Sequence, residues 1–202
     1  MPKICIKHPF AGIGLLLLLL SACNTTPIRP AVEISAQVQQ AYKEALASMK
    51  AGKDKQAIKQ FRKISKDNPT LSGPYTNLGI LYFKANSLQQ AEKSLLKATE
   101  LNAENKLAYN YLGIVYRSQG HFEEAEKVYL KALALDPNYS YAHLNLGILY
   151  DLYKSDYEKA LNHYQTYLSL ADKPDKMVEK WIVDLKRRDT STAQTKAEDT
   201  RG

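Results

Sequence analysis

The hexapeptide Asn77-Leu-Gly-Ile-Leu-Tyr82 returns letter for letter as Asn145-Leu-Gly-Ile-Leu-Tyr150, 68 residues on, with Tyr111-Leu-Gly-Ile-Val-Tyr116 midway. Gly79, Gly113 and Gly147 are therefore 34 residues apart. Ala57, Ala91 and Ala125 keep the same step, and Ala160 follows with one extra residue. Self-similarity at this period marks a stacked array, in which each unit cannot bury its apolar face alone and closes it against its neighbours. Four units fit, at 38–71, 72–105, 106–139 and 140–174.

Each unit reads as two helices joined by a turn. In the third, a first helix over 106–119 carries Leu112, Val115 and Tyr116 on one stripe, and Gly113 admits a neighbouring helix. Gly120-His121 is the turn. A second helix over 122–135 places Ala125, Tyr129 and Ala132 on one face and stops at Asp136-Pro137. Ala51-Gly52 and Asn86-Ser87 are the matching turns; Asn68-Pro69 and Asn102-Ala103 are the matching stops, the latter without its proline. This pattern resembles the tetratricopeptide repeat (TPR). The resemblance implies an all-α, right-handed superhelical stack of four helix pairs. The first unit departs from it, with Ala45 in place of the glycine and Ala41 in place of a large aromatic, as terminal repeats do. The fourth has its extra residue near Tyr153–Asp156, and Tyr167 stands where a small residue is usual. Met177, Val178, Trp181, Ile182 and Leu185 then recur at helical spacing, so a capping helix is expected over 175–188. The tail at 189–202 is polar and aperiodic and is expected to be disordered.

The N-terminus reads as an address. Lys3 and Lys7 precede an apolar run from Phe10 to Leu20, too short for the ~20 residues of a spanning helix, so residues 1–22 read as a signal peptide. Its end, Leu20-Ser21-Ala22-Cys23, resembles the lipobox of bacterial lipoproteins. That resemblance implies cleavage before Cys23, a thioether to diacylglycerol there, and acylation of the new amino end, palmitate being one such acyl chain. Three chains, at ~0.8 kcal/mol per buried CH₂, make an essentially permanent anchor. Asn24 resembles the residue of the outer-membrane class rather than the inner-membrane Asp. Residues 23–37, with Pro27 and Pro30, read as the acylated cysteine and a flexible tether. Of the two cysteines, Cys5 leaves with the signal and Cys23 is lipidated, so no disulfide is expected.

No catalytic constellation is present in the sequence. His8, His121, His143 and His163 form no i, i+4 pair, and no HExxH, P-loop, GxGxxG or GxSxG occurs. His143 holds the slot of Tyr75 and Tyr109 and reads as a packing residue. No metal, no cofactor beyond the covalent lipid and no enzymatic activity are expected. The formal charge of +7 is spread along helices, with one cluster at Lys186-Arg187-Arg188 beside Lys180. An exported protein would not meet nucleic acid, so none is expected as a partner.

A binding groove remains. In the TPR family the first helices line the inner wall, which here implies Tyr42, Asn77, Phe83, Asn110, Tyr111, Arg117, Tyr141 and Leu144 as partner-facing residues. A carboxylate clamp of Lys, Asn and Arg is not expected, because Tyr42, Leu46, Leu107 and Tyr111 stand where it needs polar or basic residues. The groove suits an extended or helical segment with apolar anchors. The whole resembles TPR lipoproteins of the Gram-negative envelope. These imply an outer-membrane protein facing the periplasm that binds envelope proteins or peptides. Two groups fit: pilotin-like lipoproteins that assemble type IV pilus secretins, and scaffolds of peptidoglycan hydrolases. A hydrolase or a carbohydrate-binding protein is the reading from another class.

Overall fold

The computed structural model describes residues 34–199, with side chains through 188. The signal, Cys23 and most of the tether lie outside the described residues. The described chain is helical throughout: α1 (Ala36–Lys50), α2 (Asp54–Asp67), α3 (Ser72–Lys84), α4 (Leu88–Leu101), α5 (Lys106–Gln119), α6 (Phe122–Leu135), α7 (Ser140–Leu149), α8 (Tyr157–Leu170) and α9 (Lys176–Asp199). Helices α5 and α6 have the bounds expected from the periodicity. α1 starts inside the stretch expected to be tether, because the Ser35 side chain accepts from Val38 N and caps it.

The turns repeat with the sequence. Gly52, Asn86 and Gly120 take the left-handed conformation, at φ 71°, 55° and 81°. After each, the next amide reaches back five residues: Lys53 N to Ser48 O, Ser87 N to Tyr82 O and His121 N to Tyr116 O. The second helices stop alike. Asn102 Oδ1 accepts from Glu104 N at 2.9 Å, as Asp136 Oδ1 accepts from Asn138 N at 3.0 Å, so the side chain of Asn102 makes the turn that lacks its proline.

The extra residue of the fourth unit is absorbed as a π-helical turn over Tyr150–Lys154, at the end of α7. The left-handed residue moves to Ser155, φ 52°, and the closing bond, Asp156 N to Tyr150 O, now spans six residues instead of five. The insertion thus lies slightly before 153–156 and leaves α8 in register with the earlier second helices.

Packing explains the glycines. A Cβ on Gly79 would lie 2.4 Å from Leu95, one on Gly113 2.4 Å from Tyr129, and one on Gly147 2.4 Å from Tyr164. Only hydrogen at these sites lets each first helix meet the large side chain of its own second helix. Three apolar clusters follow along the stack, built around Phe61 and Leu81, around Leu95 and Leu112, and around Tyr129, Leu146 and Tyr164. Tyr116, expected in the core stripe, is only half-buried. α9 closes the last face with Val178 and Leu185 fully buried and the Trp181 ring 5.6 Å from that of Tyr164. Met177, expected in that stripe, is 62% exposed, because its neighbour Val178 takes the inward position.

One expectation about the C-terminus differs from the structure. α9 continues to Asp199, through residues 189–199 expected to be disordered. That stretch contains Ala193, Gln194, Lys196, Ala197 and Glu198 and neither Gly nor Pro, so nothing in it stops a helix already nucleated by packing. The arginines of the cluster at 186–188 are paired. Arg188 Nη2 donates to Asp151 Oδ1 at 2.9 Å, and Asp184 pairs with both Arg187 and Arg188. Asp151 is buried, with its side chain 5% exposed and its other oxygen accepting from Tyr164 OH at 3.3 Å. The π turn is what brings it inward, and the Arg188 contact clasps α9 to it.

Candidate functional site: the wall of first helices

Successive first helices touch, α3 with α5 and α5 with α7, while no comparable contact joins α2 to α4 or α4 to α6. First helices therefore form the tighter, inner wall, and second helices fan out behind them.

Side-chain hydrogen bonds stitch this inner wall. Asn77 Nδ2 donates to Gly73 O at 3.0 Å and to the Tyr42 hydroxyl, on the preceding first helix, at 2.6 Å. Its repeat mate Asn145 does the same, donating to Tyr141 O at 2.9 Å and to Asn110 Oδ1 at 3.0 Å. Arg117 Nη1 adds a contact to Asn145 Oδ1 at 3.3 Å. Between them Asn105 Nδ2 donates to Thr76 Oγ1 at 2.8 Å. Buried polar groups must be paired, and here the pairing runs from unit to unit.

This corrects part of the expected groove. Asn77 and Asn110 are buried, at 8% and 3% exposure, and spend their amides inside the wall. Arg117 is half-buried on Asn145, and Phe83 packs half-buried against the cluster of α4 and α5. Tyr42 is half-buried, edge-on to Phe61 at 5.5 Å, with burial pushing its hydroxyl pKa up against the opposing effect of the Asn77 bond. It still borders the surface. With Ile34, Val38, Leu71, Gly73 and Pro74 it lines an apolar crevice of about 370 Å³ between α1 and α3. Gly73 keeps that crevice open, since a Cβ there would sit 2.8 Å from the Tyr42 oxygen.

The accessible anchors gather where α5 meets α7. Tyr141 is 58% exposed and Leu107, its repeat mate, 41%. Tyr111 and Leu144 are half-buried beneath this surface. Tyr139 joins them, 6.3 Å edge-on from Tyr141 and 5.3 Å from the Lys106 ammonium over its ring. Burial, helped by Tyr111 and Tyr141, pushes the Tyr139 pKa up to about 12. Lys106 also bonds Asp136, whose pKa this contact holds below the ordinary carboxylate value. Sequence reasoning missed Tyr139 because it stands just before α7, outside the helical period; its mate Leu71 lines the crevice, and that correspondence was a readable signal.

His143 is a packing residue with a fixed role. Its Nε2–H donates to Pro137 O at 3.0 Å, leaving Nδ1 to accept from His163 Nδ1 at 3.0 Å. His163 stacks on Tyr150 at 5.6 Å, and burial, then His143, pulls its pKa down to about 4. Among the described residues no three His, Cys, Asp or Glu side chains gather as metal ligands, and no helix is long and apolar enough to cross a membrane.

Comparison with known proteins agrees with this architecture. Sequence profiles of the tetratricopeptide repeat match residues 73–105, 94–127, 113–152 and 142–178. The chain carries tetratricopeptide repeats and folds as a superhelical stack of them. The crystal structure of MamA is similar at 27% identity and TM-score 0.60, over 66% of this chain and 77% of that one. PilF of Pseudomonas aeruginosa is similar at 22% identity and TM-score 0.68, over 78% and 72%. A fragment of MamA from Desulfovibrio magneticus RS-1 covers 83% of this chain and 93% of its own at 17% identity and TM-score 0.67. No curated protein matches the sequence.

Proposed function

We propose that this protein is a lipid-tethered interaction adaptor of the bacterial envelope that holds a partner segment along its wall of first helices. The observation that carries the reading is the pair of exposed anchors, Tyr141 and Leu107, on the inner wall of a repeat array whose polar groups are spent internally. Large aromatics that are exposed yet backed by a rigid wall are the side chains that dominate protein interfaces. The apolar crevice beside Tyr42 offers a second seat on the same wall, so an extended or helical segment with two apolar anchors fits best.

The anchor rests on Leu20-Ser21-Ala22-Cys23, and the outer-membrane address on Asn24. Assembly of type IV pilus or secretion machinery is the finer reading, supported by the lipobox joined to a TPR array and by the fold likeness to PilF. Two experiments test it. Cys23→Ser should abolish palmitate labelling and leave an unprocessed precursor; a variant still cut after Ala22 and labelled refutes the anchor. A photo-crosslinking residue at position 141 should capture one envelope protein, and Tyr141→Ala with Leu107→Ala should weaken that complex more than about tenfold. Full capture by the double variant refutes the wall as the binding site. Capture of a pilus secretin supports the finer reading, and capture of a cell-wall hydrolase overturns it.

A further inference from the structure

The fold assembles a charged surface that the linear sequence hides. Lys59, Lys93 and Lys127 are 34 residues apart, and so are Lys63, Lys97 and Lys131. Each trio occupies one repeat position on α2, α4 and α6, facing away from the buried alanines Ala57, Ala91 and Ala125. The result is two parallel rows of lysine across the outer wall. Of the six, Lys97 pairs with Glu100 at 2.9 Å. The other five are exposed and have no carboxylate partner among the described residues. Between the rows stand Arg62, Leu96 and Leu130, again one repeat apart, with the two leucines 43% and 46% exposed. α2 and α4 part there to leave an open depression bordered by Arg62, Lys93, Lys97 and Leu96, with Glu92 and Glu100 also on its rim.

The distribution along the stack is uneven. The first unit, residues 38–71, has eight basic residues against three acidic; units two to four, residues 72–174, have ten against eleven. Lys55 and Lys66 extend the basic stripe on α2 to a length of about 16 Å. In the fourth unit the rows end, with Asn162 and Thr166 in the lysine positions. The basic excess thus lies in the repeat that follows Cys23 in the chain. A chain of thirteen residues from Cys23 to Ala36 reaches at most about 45 Å.

We infer that this lysine-and-leucine outer face docks the array on an anionic phospholipid surface, leaving the wall of first helices turned away and open to its partner. The inference rests on the lipid anchor proposed above, which keeps the face within reach of a bilayer. The side-chain types favour lipid over an acidic protein. Lysines are mobile point charges that follow fluid headgroups, whereas a fixed acidic partner is better gripped by the planar fork of arginine. Exposed leucines framed by lysines are what an interfacial surface buries at the headgroup boundary.

The test uses the full protein, purified with whatever lipid it carries and reconstituted with phosphatidylcholine vesicles that contain or lack phosphatidylglycerol. A water-soluble acylating reagent reports lysine accessibility by mass spectrometry. Lys59, Lys63, Lys93, Lys127 and Lys131 should label at least about fivefold more slowly on the anionic vesicles, the factor that one lysine near such a surface is worth. Molar salt should abolish the difference. Lys43 on α1 and Lys106 on α5 should label alike on both. The variant Lys59→Gln, Lys63→Gln, Lys93→Gln alters exposed positions only, and it should restore labelling of Lys127 and Lys131. Protein that floats with both vesicles and labels equally on them overturns the docking face and leaves the anchor standing. Flotation on anionic vesicles alone, with the lysines protected, supports the face and overturns the anchor; flotation on neither overturns both. Protection that needs an added acidic protein rather than anionic lipid overturns the inference.

Discussion

Gly113→Ala is the most informative single change in the stack. The new Cβ would lie 2.4 Å from Tyr129 Cε1 and 2.6 Å from Cδ1. Carbon atoms rest at ~3.5–4.0 Å, so the ring or a helix must move by about 1 Å. Tyr129 is fully buried, in a cluster with Leu146, Leu149 and Tyr164, and has no free space to turn into. Overpacking of this kind costs about 1–3 kcal/mol. Alanine returns up to about 1 kcal/mol of that, because it favours a helix interior over glycine. The net loss, up to about 2 kcal/mol, lowers the melting temperature by up to roughly 8 °C in a domain of this size. A double-mutant cycle separates the clash from general damage. With Tyr129→Ala, itself costing ~3–5 kcal/mol, the steric partner is gone, and Gly113→Ala should then stabilise. Calorimetry on the four proteins reads both signs. A Gly113→Ala protein that melts higher than the parent, or one with the same effect in both backgrounds, refutes the close approach of these helices.

Arg188→Ala should free the C-terminal helix: Asp151, 5% exposed, keeps only the Tyr164 hydroxyl, a loss of about 3 kcal/mol, read as faster amide exchange over 176–188 with exchange over α1–α4 unchanged. Asn145→Ala leaves the buried Asn110 oxygen without its donor and should cost about 1–3 kcal/mol by chemical denaturation, more than an alanine at exposed Asn138. His163 should give the array a pH dependence. Its folded pKa of about 4 lies below the ordinary 6.5, so the unfolded chain binds the extra proton. Stability is then full above about pH 6.5 and is lost as pH falls toward 4. His163→Gln keeps a donor for His143 but does not titrate there, and its melting temperature should vary less over that window.

The repeat made most of the stack legible from the residues. Helix bounds follow from glycine, proline and apolar spacing, and those signals are local, which is why α5 and α6 came out at their observed ends. The π turn was visible only as one surplus residue. Its position was not, because any of several backbone sites can absorb an insertion, and the choice depends on burying Asp151 against Arg188, 37 residues away. The inner wall was only partly legible for a related reason. Helical phase places Tyr42, Asn77, Asn110 and Tyr141 on one wall, but it cannot say which side chains bond across to the next unit. Asn77 invited reading as a ligand for a partner, yet it reaches Tyr42, 35 positions back. The lysine rows escaped notice because neighbours in them are 34 apart in the chain, while a linear scan weighs runs such as 186–188.

The hydrogen bonds between first helices bear on how the stack carries load. Asn77 to Tyr42, Asn105 to Thr76 and Asn145 to Asn110 tie one wall at three successive joints, while the second helices behind them lack comparable mutual contact. Such a body bends like a book opened along its spine. When the array is pulled or flexed, the back fans apart and the stitched edge holds its length. The spacing between seats on that edge, the crevice at Tyr42 and the surface at Tyr141, therefore persists while the curvature changes, so a segment bridging both would be held at constant pitch as the protein strains between its ends.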